Sequence, residues 1–191
     1  SLIGVTSLIY DAKGNPAGQV LMVMFSMLYG VISYKFAYYG EMATYLGMTA
    51  PMSVFALVSW LRNPHNGNKA EVEIARLKKA EIFNMVVLAV IVTVVFYFIL
   101  RAFNTSNLVS STASVTTSFL AVYMTYKRST FFALAYAAND IILIVLWTLA
   151  ALSDISYIPV ITCFVLFLIN DIYTFINWTR MHKRQEISQT V

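Results

Sequence analysis

The sequence predicts an all-α integral membrane protein of seven transmembrane helices, in a 3+1+3 arrangement of parallel three-helix repeats with the first helix truncated. Three observations carry this expectation. Of 191 residues, 59% are hydrophobic and only 12% are charged, with a mean hydropathy of +0.71, whereas soluble domains carry about 25% charged residues. Most of the chain falls in apolar runs of about 20 residues, the length that crosses ~30 Å of hydrocarbon at ~1.5 Å per helical residue. The chain also echoes itself: a shift of 118 residues brings Leu28-Tyr29 onto Leu146-Trp147, Tyr39 onto Tyr157, Trp60 onto Trp178 and Arg62 onto Arg180.

In chain order, helices are expected at Leu2 to Asp11, Ala17 to Phe36, Glu41 to Leu61, Lys79 to Phe103, Asn107 to Arg128, Ser129 to Leu152 and Tyr157 to Arg180. The first run spans only ~14 Å, half a bilayer, and reads as the inner end of a longer helix that begins before Ser1, with a half-helix that enters and exits within the bundle as the alternative. Gly14-Asn15-Pro16 and the run Asn63 to Asn68 supply breakers. The fourth helix has no mid-helix charge and reads as a linker that restores orientation between two odd-numbered bundles. The divisions are a first bundle at 1–61, a loop at 62–79, a linker helix at 80–103, a second bundle at 107–180 and a tail at 181–191. Glu71 to Glu81 reads as a solvated amphipathic turn.

Charge fixes the expected topology. Eleven of the 13 Lys and Arg fall in loops on one face and in the tail, with only Lys35 and Arg101 opposite. That split puts the C-terminus in the cytoplasm, and it explains the net charge of +4 without nucleic acid as a partner. The single Cys163 has no partner for a disulfide. His65 and His182 share no metal-ligand spacing, and no phosphate loop, nucleophile elbow or HExxH spacing occurs. The sequence therefore predicts no enzyme activity, metal or cofactor.

Two pairs, Asn139-Asp140 and Asn170-Asp171, interrupt otherwise apolar helices. A carboxylate at mid-membrane costs about 3 kcal/mol on insertion scales, so such groups face a bundle interior or a water-filled path. Counting from the basic ends at ~1.5 Å per residue puts both Asn residues ~15 Å deep, at the midplane. Helical spacing aligns Asn170, Tyr173, Thr174 and Asn177 on one face and Tyr136, Asn139, Leu143 and Trp147 on another. Tyr45, Thr49 and Ser53 line up at i, i+4 and i+8 in the first bundle. Carboxamides, hydroxyls and aromatic faces suit a small polar ring compound. Asn139 and Asn170 are the expected contacts, with Asp140 and Asp171 as helix anchors or helpers. Leu21-Met22 and Met52-Ser53 are the expected first-repeat equivalents of the two pairs. Trp60 and Trp178, near helix ends, read as interfacial anchors.

The run Ala138-Asn139-Asp140 through Leu146-Trp147 and the run Leu168 to Tyr173 through Asn177-Trp178, with the Ala50-Pro51-Met52 step, Tyr29 and Tyr34, resemble the PnuC family of vitamin transporters. The resemblance covers essentially the whole chain. It implies the 3+1+3 fold shared with SWEET sugar transporters, an inner (plasma) membrane location, and facilitated diffusion of nicotinamide riboside with trapping by intracellular phosphorylation. It also implies that Asn139 and Asn170 contact the ribose or amide while aromatics stack the base. Ser53, Ala56 and Leu57 stand where many members carry Gln and Gly-Trp, and Phe131-Phe132 with Ala135-Tyr136 replaces a Trp-rich start to helix six. Those departures keep a deoxynucleoside, thiamine or riboflavin in view as substrate, as well as proton coupling through Asp140 or Asp171. A scaffold or receptor without transport is the third alternative. The expected partners are the substrate and the lipid bilayer, and the oligomeric state, a homo-oligomer included, is left open.

Overall fold

A computed structural model describes residues 2–35, 39–105 and 107–189, without the side chains of Leu2, Glu41 and Gln189. Ser1, Thr190, Val191 and the expected helix end at Phe36 lie outside the described residues. The helices are α1 (Leu2–Ala12), α2 (Ala17–Lys35), α3 (Tyr39–Thr44), α4 (Ala50–Arg62), α5 (Lys79–Ala102), α6 (Leu108–Tyr126), α7 (Phe132–Ala151) and α8 (Ile158–Gln189). The protein is all-α in its membrane-embedded part. Among the described residues, five spans are long and apolar enough to cross a bilayer: Ala17–Lys35, Met42–Arg62, Lys79–Ala102, Phe132–Ala151 and Ile155–Ser188. With 19 residues, α6 matches α2 in length. Its Ser110-Ser111-Thr112 and Thr116-Thr117-Ser118 runs make it less apolar, and it packs inside the bundle against α4, α5 and α7.

The third predicted helix is interrupted. A π turn at Tyr45–Thr49 joins α3 to α4, and its cause is local. Pro51 has no N–H to offer the Gly47 carbonyl, and the Ala50 N–H bonds back to Tyr45 O, five residues away. One extra residue in a turn rotates everything beyond it by ~100°. Ser53 consequently does not continue the face on which Tyr45 and Thr49 lie.

The segment after α4 corrects the reading of Glu71 to Glu81 as solvated. Asn66 and Gly67 both have positive φ, 48° and 78°, the requirement of a tight two-residue hairpin turn. They join β1 (Pro64–His65) to β2 (Asn68–Val72). Past β2 the chain alternates, burying Val72 and Ile74 against Trp60, Phe132, Trp178 and Met181. Their amides are used as well: Val72 N–H donates to Gly14 O and Ala75 N–H to Arg128 O, at 2.9 and 3.0 Å. Residues 72–75 thus form a strap across the α1–α2 and α6–α7 turns.

Beyond the predicted end at Arg180, α8 continues to Gln189 and meets this strap. Gln185 accepts from Ile74 N–H and donates to Val72 O and Glu71, while Arg184 and Arg76 pair with Glu71 and Glu186. Burial pushes the Glu71 carboxyl up, but the hydrogen bonds from Gln185 and Arg184 outweigh it and hold the group below its ordinary range.

Trp60 and Trp178 are fully buried rather than interfacial, because each indole N–H finds a carbonyl on a distant helix. Trp60 Nε1 donates to Thr125 O and Trp178 Nε1 to Asp11 O, both at 2.9 Å. The two strapped turns are also built alike. Gly14 and Arg128 have φ 66° and 59°; Ala17 N–H donates to Asn15 Oδ1, and Phe131 N–H to Ser129 Oγ. These matches fall at a separation of 114 residues, not 118, so Phe25-Ser26 rather than Leu21-Met22 corresponds to Asn139-Asp140. On α4 and α8 the 118-residue separation of Trp60 and Trp178 pairs Ser53 with Asp171.

Candidate functional site

A cavity of about 910 Å³ runs from the α2–α3, α5–α6 and α7–α8 connections down to Asp140 and Asp171, a volume within the ~300–1,000 Å³ usual for ligand sites. Below its floor the Trp60–Trp178–Phe132 cluster and the strap fill the bundle.

One wall is aromatic. Tyr29 and Tyr45 have ring centroids 4.5 Å apart, and Phe25 lies 5.6 Å from Tyr29. All three line the cavity, as do Thr44 and Thr49. Across it, Trp147 on α7 and Tyr157 ahead of α8 pair at 5.2 Å. Tyr136 lies lower on α7, its ring edge-on to Phe132.

The polar groups gather on α6, α7 and α8. Asn139 Oδ1 accepts from Ser114 Oγ at 3.0 Å and from Thr117 Oγ1 at 2.9 Å. Two α6 hydroxyls thereby orient the carboxamide and leave its NH₂ as the donor toward the cavity. Asp140 and Asp171, 5% and 4% exposed, line the floor with their carboxyl groups facing each other. Asp140 Oδ2 has no hydrogen-bond partner among the described residues. Behind Asp171 lies Asp11 of α1, whose Oδ1 accepts from Gln19 Nε2 at 2.8 Å. Among the described lining residues there is no Lys, Arg or His, and no group of three His, Cys, Asp or Glu could hold a metal ion.

Of the residues singled out from the sequence, Asn139, Asp140, Asp171, Tyr136, Trp147, Tyr45 and Thr49 line this cavity. The other four lie off it. Asn170 sits one residue, or ~100°, from Asp171, off the cavity lining, where it donates to Thr174 Oγ1 at 3.5 Å and hydrogen-bonds the neighbouring Asp171 carboxyl. Tyr173 is 56% exposed on the outer face of α8. Ser53 is buried between helices, and Asn177 ties α8 to α1 by donating to Ala12 O at 2.7 Å. Sequence reasoning missed the roles of Phe25, Tyr157, Ser114 and Thr117. The run of hydroxyls along α6 was the available signal, since a helix that carries many in a membrane needs an interior to face.

Residues 1–180 match the model of the nicotinamide mononucleotide transporter family. A nicotinamide riboside transporter PnuC from Neisseria mucosa is 26% identical over 189 residues, covering 96% of this chain and 72% of that protein. The crystal structure of a vitamin B3 transporter PnuC superposes with a TM-score of 0.78 at 23% identity, covering 96% of this chain and 80% of that one. At that identity the superposition establishes the fold.

Proposed function

Because the chain belongs to the nicotinamide mononucleotide transporter family, we propose that it carries nicotinamide riboside across the cell membrane by facilitated diffusion. The observation that carries this reading is the cavity itself, with two aromatic walls, one oriented carboxamide, two carboxyl groups and no basic side chain among its described lining. Aromatic faces suit the planar nicotinamide ring, and the Asn139 NH₂ suits an acceptor on the amide or ribose. A phosphate finds no cation there and meets two carboxyl groups, so the dephosphorylated riboside is favoured over the mononucleotide. The same repulsion supports trapping, since a riboside phosphorylated inside cannot return by this path. Asn139, Tyr136, Trp147, Tyr45, Thr49, Asp140 and Asp171 are the proposed contacts.

The helix arrangement accompanying this function is 3+1+3, with parallel halves around a midplane site. The crossed Trp60 and Trp178 bonds and the matching Gly14 and Arg128 turns support two equivalent halves. With 11 of 13 basic residues at the strap end or in the tail, that end and the C-terminus belong in the cytoplasm, and the cavity faces outward.

Uptake of labelled nicotinamide riboside into proteoliposomes tests the reading. Flux should follow the riboside gradient and ignore an imposed pH gradient. The facing Asp140 and Asp171 carboxyls favour a second reading, proton-coupled transport, which a strong response to the pH gradient would select. Absence of flux for every nucleoside overturns both.

A further inference from the structure

We propose that Asp140 and Asp171 are the charge filter of the cavity, selecting substrates whose heterocycle carries a fixed positive charge and passing over neutral nucleosides of the same size. The inference rests on the transport reading and sharpens it to a substrate class. Its first ground is the state of Asp140. A carboxyl group serving only to tie helices together has both oxygens engaged by donors on a neighbouring helix. Here the carboxyl meets Asp171 on one side only, while Oδ2 is buried, has no partner among the described residues and belongs to a residue that lines the cavity.

The second ground is one-sidedness. Ser26 and Ser53, the residues matching Asp140 and Asp171 in the first half, are equally buried but neutral. Helix packing at this position is therefore achieved without charge, and the carboxyls of the second half are not required by the fold. The third is the missing counter-ion. No Lys, Arg or His stands among the described lining residues, and Asp11 behind Asp171 adds another carboxyl rather than a cation. Two carboxyl groups in contact share a proton and hold one negative charge between them, which in a low-dielectric site is costly until a cation arrives. An N-glycosylated pyridinium or a thiazolium supplies that cation inside the ring that stacks. The walls agree in sign, since the faces of the Tyr29–Tyr45 and Trp147–Tyr157 pairs attract cations through their quadrupoles.

Two ribosides differing by one hydride make the test: nicotinamide riboside, a cation, and its 1,4-dihydro form, which is neutral and nearly the same shape. Binding of each to the purified full-length chain is measured by calorimetry. Wild type should prefer the cation by about tenfold or more, and Asp140→Asn and Asp171→Asn should each erase most of that preference, read as the ratio of the two affinities within each variant. Equal wild-type affinities for the two ribosides overturn the charge filter whatever the variants do, as do variants that keep the preference or lose both ligands alike. If folded wild-type protein binds neither riboside, the proposed function itself falls and takes the filter with it.

Discussion

Trp60 and Trp178 lie with ring centroids 5.4 Å apart, and each donates its indole N–H to a carbonyl that the other half of the chain supplies. The pair joins the halves just below the cavity floor. Replacing Trp178 with Phe keeps most of the apolar area and leaves the Asp11 carbonyl without its donor, which should lower stability by ~1–3 kcal/mol. Trp60→Phe should do the same at Thr125. Thermal unfolding in detergent reads both, and an unchanged melting temperature in either variant contradicts the role given to these bonds.

Asn139→Ala removes the carboxamide that α6 orients beside the two carboxyl groups and takes from Ser114 its side-chain acceptor, while Thr117 keeps the Ala113 and Ser114 carbonyls. Affinity for nicotinamide riboside should fall by ~1–3 kcal/mol. Asn170→Ala, off the cavity, should stay within about twofold of wild type, a difference of ~0.4 kcal/mol. The opposite ranking of the two variants by calorimetry refutes the proposed contact set.

Pro51 creates the π turn that carries Tyr45 and Thr49 into the cavity. Pro51→Ala restores a donor to Gly47 O and removes a helix-interior proline, worth up to ~3 kcal/mol. The variant should melt higher and bind more weakly, because straightening the turn rotates Tyr45 and Thr49 relative to α4. Unchanged affinity separates the turn from the site.

Gly18 lets α1 and α2 touch. A Cβ there falls 2.2 Å from Asp11 Oδ1 and 2.8 Å from Asp11 N, a clash that backbone on one side cannot relieve by rotation. Gly18→Ala should destabilise by ~1–3 kcal/mol, the usual cost of overpacking. Wild-type stability in this variant rules out so close an approach.

Acid should loosen the strap before it unfolds the bundle. The Glu71 carboxyl is held below its ordinary value of 4.5 in the folded protein, so its contribution is fully present above that pH and is lost as pH falls through the lower folded value. Limited proteolysis near residues 66–78 should quicken below about pH 4.5 in wild type and lose that dependence in Glu71→Gln. An identical pH profile in the variant assigns the loosening to other groups.

The apolar runs betrayed the long helices because a bilayer imposes one length on every span. Asn139, Asp140 and Asp171 were equally visible, since polarity in such a run has a cost that needs a cause. What stayed hidden depends on partners far away in sequence. Trp60 and Trp178 carry the signature of interfacial anchors, and only carbonyls on α6 and α1 make them buried cross-links. Asn170 and Asp171 differ by one step around a helix, and the rotation of α8 that favours Asp171 is set by packing on α7 and α1. Val72 and Ile74 sit in a stretch so charged that it reads as solvent-facing. Their alternation with Glu71, Glu73 and Ala75 was the overlooked trace of an extended strand.

The strap also sets a length. Val72 and Ala75, whose amides hold the Gly14 and Arg128 carbonyls, are three residues apart and can separate by no more than ~10–11 Å even when fully extended. The two turns are leashed to each other by inextensible chain, and any motion that parts them further must first release one of these amides. Hydrogen exchange at Val72 and Ala75 is therefore a clock for the opening of this end, ticking once for each release.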